Sequence, residues 1–233
     1  MPLIGFGQIT LIPDANFEQR LISFGYDNIL DGTVLTAAID TVTSLYVGYY
    51  GISDLTGIED FTALTILNCG ANDLTSLDVS NNTALIELNC GLNQLTSLDL
   101  SNNTVLTSFW CYNNQLTNLD VRNGNNTNFT VFNSTNNPNL TCISVDDAAW
   151  STANWTSNSF RFDAHTSFNN DCGAKTYVPD NNFEIYLETH NAGGGVVPVG
   201  EPSSMGDGIA GNDSLATFNI ASVANLNVNS LNI

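Results

Sequence analysis

A right-handed solenoid of stacked, short parallel strands is the fold class this sequence predicts, and three observations predict it. First, Cys69, Cys90 and Cys111 stand 21 residues apart, each inside one repeated phrase, L-x-x-L/F-x-C-x-x-N-x-L-x-x-L-D-V/L-x-N. It runs Leu64-Leu67-Cys69-Asn72-Leu74-Leu77-Asp78, then Leu85-Leu88-Cys90-Asn93-Leu95-Leu98-Asp99, then Leu106-Phe109-Cys111-Asn114-Leu116-Leu119-Asp120. Second, a helix with its own capping residue precedes the phrases. Third, two further cysteines, Cys142 and Cys172, bracket the segment that follows them. A fixed period with this grammar is the signature of a leucine-rich repeat solenoid. One turn cannot bury its own apolar face, so turns stack and the core becomes a continuous column.

The elements follow in chain order. Residues 1–7 are apolar, end in small residues and lack a basic start, so they read as the remnant of a signal peptide, an ordinary apolar strand being the alternative. Residues 8–41 form an N-terminal cap. Pro13 sets its entry, Asp14 caps a helix running to about Phe24, and Phe17 and Leu21 share one face. Residues 42–147 hold the repeats. They begin with a degenerate turn (Val42, Leu45, Val47, Ile52) that has Tyr50 where Asn is expected. They end with a frayed one (Phe129, Phe132, Ser134, Asn137) that has Ser where Cys stood. Residues 148–175 form a C-terminal cap with little core of its own, closed by a Cys142–Cys172 disulfide typically worth ~2–4 kcal/mol. Residues 176–233 start a second cap-plus-repeat unit. Tyr177-Val-Pro-Asp-Asn-Asn-Phe-Glu-Ile-Tyr-Leu187 restates Leu11-Ile-Pro-Asp-Ala-Asn-Phe-Glu-Gln-Arg-Leu21, and Val223, Leu226, Val228 and Ile233 repeat the spacing of Val42, Leu45, Val47 and Ile52.

Charge excludes several partners. Twenty-three acidic residues against four basic ones give a net charge of −19. So few cations cannot neutralise a run of phosphates, which argues against nucleic acid, and the same field opposes anionic lipid. No apolar run approaches the length of a membrane span. There is no G-x-S-x-G, HExxH or phosphate loop, so no enzyme is expected.

The cap phrase IPDANFEQRLI, the bridge ISDLTGIEDFTAL, the repeats LNCGANDLTSLDVSNNTAL and the closing NPNLTCISVDDAAW resemble the leucine-rich repeat surface proteins of Bacteroidota. The resemblance covers the chain from about residue 10 onward. It implies export and display on the cell surface or release, often through a C-terminal sorting domain. None is visible here, so a fragment of a longer protein is expected. It also implies O-glycans at Asp-Ser/Thr-apolar triplets, which Thr41 and Ser214 match.

The repeats distribute side chains into columns. Cys69, Cys90 and Cys111 should stack as small buried hydrophobes rather than as nucleophiles or metal ligands. Asn72, Asn93 and Asn114 should satisfy backbone groups between turns. Asp78, Asp99 and Asp120 should close Asx-turns. Strand positions flanking the buried leucines face out on the concave sheet, where Tyr46, Tyr49, Asn68, Glu87, Asn89, Trp110, Tyr112 and Asn133 form the candidate ligand face. Exposed aromatics beside amides suit a protein or glycan ligand. No cofactor is expected. Calcium is a weak candidate at the oxygen-rich loops holding Asp27, Asp31, Asp207 and Asp213, which lack a complete calcium-loop pattern. The function expected is extracellular recognition or adhesion. The alternatives are a structural subunit that self-assembles into a filament through its terminal strand, Leu226–Ile233, or the recognition arm of a larger secreted protein.

Overall fold

The computed structural model describes residues 7–173 and the backbone of two further strands, 175–177 and 214–216. Its contacts divide the chain into a unit ending at Asn170 and a second beginning at Asp171.

The first unit opens with strand β1 (Ile9–Leu11), helix α1 (Ala15–Phe24), strand β2 (Thr33–Leu35) and the single turn α2 (Thr36–Ile39). β1 and β2 pair antiparallel, Ile9 opposite Leu35 and Leu11 opposite Thr33. Asp14 caps α1, its carboxylate accepting the N–H groups of Asn16 and Phe17. Gly25 ends the helix at φ +81°, a left-handed conformation that glycine adopts without penalty. Phe17 and Leu21 are fully buried and begin the core column.

Asp14 also ties this cap to the first repeat. Its second oxygen accepts the N–H groups of Ser53 and Asp54 and the Ser53 hydroxyl. Burial pushes its pKa up, but the hydrogen bonds from Ser53, Phe17 and Asp54 outweigh that and hold it below the usual carboxylate range. Because the folded pKa is the lower one, the unfolded chain binds protons first as pH falls. The stabilisation is therefore complete above the unfolded value of about 4 and disappears as pH drops through the folded value. Asp14→Asn should lower the urea midpoint at neutral pH and flatten its decline in acid. An Asp14→Asn variant as acid-sensitive as the parent would contradict this.

The solenoid consists of β3 (Ser44–Tyr46), β4 (Ile66–Asn68), β5 (Glu87–Asn89), β6 (Ser97–Asp99), β7 (Ser108–Trp110), β8 (Asn118–Asp120), β9 (Val131–Asn133) and β10 (Cys142–Ser144). It closes with helix α3 (Ala148–Asn154), β11 (Phe160–Arg161) and β12 (Ser167–Asn169). These strands make two parallel sheets, one of order β11-β9-β7-β5-β4-β3 and one of order β12-β10-β8-β6. The second sheet is not foreshadowed by the single concave sheet expected from the repeats. It arises because in the second and third repeats the phrase after the Asn, Leu-x-x-Leu-Asp, is extended with its second leucine inward, as Leu98 and Leu119 show, whereas Leu77 of the first is only partly buried.

Pairing in the six-stranded sheet is in strict register. Leu45, Leu67, Leu88, Phe109 and Phe132 are the strand centres and all lie inward. Cys69, Cys90 and Cys111 follow them, fully buried and unpaired with one another. Burial pushes the Cys69 thiol up to about 12 and raises Cys90 and Cys111 as well, so all three stay protonated and inert.

The C-terminal cap has far more core than the sequence suggested. Trp155, 4% exposed, sits among Phe129, Phe132, Trp150, Phe160, Phe162 and Phe168 at centroid distances of 5.2–6.4 Å. The cap also continues the solenoid, since β11 extends the first sheet and β12 the second. Cys142 and Cys172 are joined in a disulfide.

In the second unit, β13 (Lys175–Tyr177) pairs antiparallel with β14 (Ser214–Ala216), Lys175 opposite Ala216 and Tyr177 opposite Ser214. The expectations for residues 1–6, for Asp207 and Asp213 and for the terminal strand Leu226–Ile233 lie outside the described residues.

Candidate ligand-binding face

The outward residues of the six-stranded sheet fall into rows because the register is strict. One row runs Tyr46, Asn68, Asn89, Trp110, Asn133 and Arg161, one residue from every strand. A parallel row holds Ser44, Ile66, Glu87, Ser108 and Val131. Tyr46 is 52% exposed at the sheet edge, and Trp110 is half-buried among the amides.

The asparagines of the first row are oriented by chemistry. Asn68, Asn89 and Asn133 each accept, through Oδ1, the backbone N–H two residues on, from Gly70, Gly91 and Thr135. A backbone N–H needs an acceptor, so the carbonyl end of each amide must face the turn. The NH2 end is then left without an acceptor among the described residues. Adjacent parallel strands are about 4.8 Å apart. The face therefore presents regularly spaced, pre-positioned donors interrupted by the Trp110 ring.

Two of the expected face residues sit differently. Tyr49 is not on β3: it occupies the turn beyond it at φ +68°, 80% exposed. It heads a left-handed column with Ala71, Leu92, Asn113 and Asn136, and only the two asparagines suit that conformation intrinsically. The Tyr112 ring leans back over Gly91, where a Cβ would lie only 2.6 Å from Cε1, so a glycine at 91 makes room for it. Tyr112 is thus packed against the preceding turn. Glu87 lies in the parallel row, between Ile66 and Ser108.

The polar ladders lie elsewhere. Asn72, Asn93 and Asn114 are buried beneath the turn. Asn93 donates to the carbonyls of Cys69 and Cys90 and accepts from Leu74 N–H, and Asn114 repeats the pattern with Cys90, Cys111 and Leu95. Asn137 adds a fourth rung with Cys111, Ser134 and Leu116. A second buried ladder, Asn82, Asn103 and Asn123, is absent from the sequence expectations. Asn82 donates to the Ile58 and Phe61 carbonyls, Asn103 to those of Val79 and Asn82, and Asn123 to that of Asn103. The 21-residue spacing of Asn82 and Asn103 is the signal that could have found it, obscured by the exposed Asn81 and Asn102 beside them.

Asp78, Asp99 and Asp120 accept the N–H groups of Ser80, Ser101 and Arg122. The Ser80 backbone and hydroxyl hold the Asp78 pKa down. At Asp120 burial works upward, but the Arg122 guanidinium prevails and lowers it. Asp27 and Asp31 belong to one loop, where Asp27 accepts the Asn28 N–H and Asp31 the N–H and hydroxyl of Thr33. The N–H groups of Asp31, Gly32 and Thr33 all point at the buried carboxylate of Glu18, so this loop already wraps an anion of the protein. No group of three His, Cys, Asp or Glu side chains among the described residues is placed to hold a metal ion. No described helix is long and apolar enough to cross a membrane.

No family model matches the sequence. Over 70 residues the chain is 39% identical to internalin J of Listeria monocytogenes serotype 4b (strain F2365), a stretch covering 30% of this chain and 8% of that protein. Among solved structures, the functional domain of InlJ from L. monocytogenes, which includes a cysteine ladder, aligns with 29% identity and a TM-score of 0.48. That alignment covers 60% of this chain and 38% of that one. The internalin InlF of L. monocytogenes aligns with 21% identity and a TM-score of 0.43, covering 58% and 44%. The chain thus spans less than half of each of these proteins. Its repeats, two parallel sheets and disulfide-closed end give it the fold of a leucine-rich repeat solenoid.

Proposed function

We propose that this chain is a non-catalytic recognition or adhesion module of a surface-displayed or secreted protein, binding a protein or glycan through its six-stranded sheet. The observation that carries this reading is the registered row Tyr46–Asn68–Asn89–Trp110–Asn133–Arg161. It combines free amide donors, two accessible aromatic rings and a terminal cation on a rigid ladder. Such a face offers apolar area with polar handles at little ordering cost. The disulfide fits an oxidising compartment, as the resemblance to Bacteroidota surface proteins implies, and the exposed Thr41 is available for the glycan that resemblance suggests.

The β13–β14 pairing favours a second reading of organisation. Aligned by the repeated cap phrase, Lys175-Thr-Tyr177 corresponds to Ile9-Thr-Leu11, and the partner strand Ser214–Ala216 then corresponds to Thr33–Leu35 in the same register. Residues 8–41, 42–147 and 148–175 would accordingly be cap, repeats and closing cap, and 176–233 the opening of another unit.

The test is an array of glycans and extracellular proteins probed with the parent chain, with Trp110→Ala and with Asp99→Asn on the other sheet. Trp110→Ala should lose at least about tenfold in affinity for the parent's ligands, as a central aromatic anchor does, with a small change in melting temperature. Asp99→Asn should bind as the parent. Equal loss in both variants, or none in either, would sink the assignment of this face.

A further inference from the structure

Arg20 is a cation the repeats do not use. In a chain with 23 acidic residues and four basic ones, it has no carboxylate within ion-pair distance among the described residues, where the ion pair present is Arg122–Asp120. Its guanidinium is nevertheless held firmly. Cζ lies over the Phe24 ring at 4.0 Å from the centroid and over the Tyr50 ring at 4.4 Å. Nη1 donates to Ser23 Oγ and Nε makes a long contact with the Tyr46 carbonyl. Nη2 and one Nη1 hydrogen have no acceptor among the described residues. Arg20 lines a recess of about 180 Å³ together with Asn16, Gln19, Ser23 and Tyr50.

We infer that this recess, at the junction of α1 and the edge of the six-stranded sheet, binds the carboxylate of an acidic sugar residue in a glycan. A guanidinium fixed by aromatic rings, with Nη2 and one Nη1 hydrogen uncommitted, has charge-assisted hydrogen bonds to offer a planar carboxylate. The recess is smaller than a typical drug-sized pocket, so it suits one ring rather than an extended peptide. The Asn16 and Gln19 amides offer partners for sugar hydroxyls, whereas the Ser23 hydroxyl already donates to the Arg20 carbonyl. The Asn16 NH2 already donates to Gly51 O, leaving its carbonyl as an acceptor. Tyr50, 45% exposed, supplies a ring against which a sugar face can pack. The stack on Phe24 and Tyr50 already employs the guanidinium faces, so what a ligand can use is its edge, and the comparison of charged with neutral sugar is what separates binding from packing. This inference does not rest on the Trp110 row, and its probe is separate.

The test titrates methyl β-glucuronide, methyl β-glucoside and N-acetylglutamate amide separately into the full chain and follows the Nε–H resonances of Arg20, Arg122 and Arg161 by NMR. Methyl β-glucuronide should shift the Arg20 signal saturably into the millimolar range while Arg122 and Arg161 stay still. The neutral glucoside should bind at least about tenfold more weakly, and Arg20→Lys should weaken glucuronide binding by about tenfold while the Arg122 and Arg161 resonances stay in place and show that the fold is kept. No saturable shift, or undiminished binding by Arg20→Lys, would overturn the site. An equal response to N-acetylglutamate amide would overturn the sugar assignment in favour of a peptide carboxylate.

Discussion

Asn72→Ala is expected to destabilise the solenoid by about 3–6 kcal/mol, more than the same change at Asn93. Asn72 Oδ1 accepts both Tyr50 N–H and Ile52 N–H, and its NH2 donates to the Val47 and Cys69 carbonyls. Truncation strands two N–H groups and the Val47 carbonyl, because the degenerate first turn has Tyr50 where an asparagine would otherwise supply a second donor. Asn93 is cushioned. The Cys69 carbonyl it serves also receives Asn72, and the Cys90 carbonyl also receives Asn114. Only Leu74 N–H loses its sole acceptor there, so about 2–3 kcal/mol is expected. Equilibrium urea denaturation followed by circular dichroism gives both numbers. An Asn72→Ala variant no worse than Asn93→Ala would refute the shared-acceptor account.

Trp155→Ala should cost about 3–5 kcal/mol, the range for emptying a large aromatic site. Six aromatic rings contact this indole, and they belong both to the last repeat (Phe129, Phe132) and to the cap (Trp150, Phe160, Phe162, Phe168). The cap should therefore loosen from the column and expose Phe132. Trp155→Phe should be milder than Trp155→Ala, because it keeps an aromatic ring in the site and leaves a smaller cavity. It also removes an indole N–H that is buried without a partner. Calorimetry of the two variants separates lost packing from any contribution of the indole N–H. Equal losses would mean the indole N–H does matter.

What the sequence made legible follows from periodicity. Leu67, Cys69 and Asn72 recur at a fixed interval in an environment that also recurs, so one turn interprets the others. Trp155 has no counterpart one period away, and its neighbours are scattered over 40 residues from Phe129 to Phe168, so its core is invisible as pattern. Tyr49 departs from its expected strand position because side-chain alternation stops where the strand stops, and left-handed turns impose no composition when Ala71 and Leu92 are tolerated there. Arg161 gives no signal because β11 carries none of the repeat grammar, and Arg20 gives none because its aromatic neighbours come from both its own helix and the first repeat.

The paired donation at each carbonyl has a consequence for how such a chain can lengthen. Every rung from Asn93 to Asn137 brings one amide that spans its own turn and the one before. A duplicated rung therefore arrives already complementary at both faces, and a deleted one leaves two faces that still fit. Recombination between such near-identical segments adds or removes whole rungs without opening a gap. The number of rungs, and with it the span of surface available to a partner, is a quantity that can drift between relatives while the joinery stays unchanged.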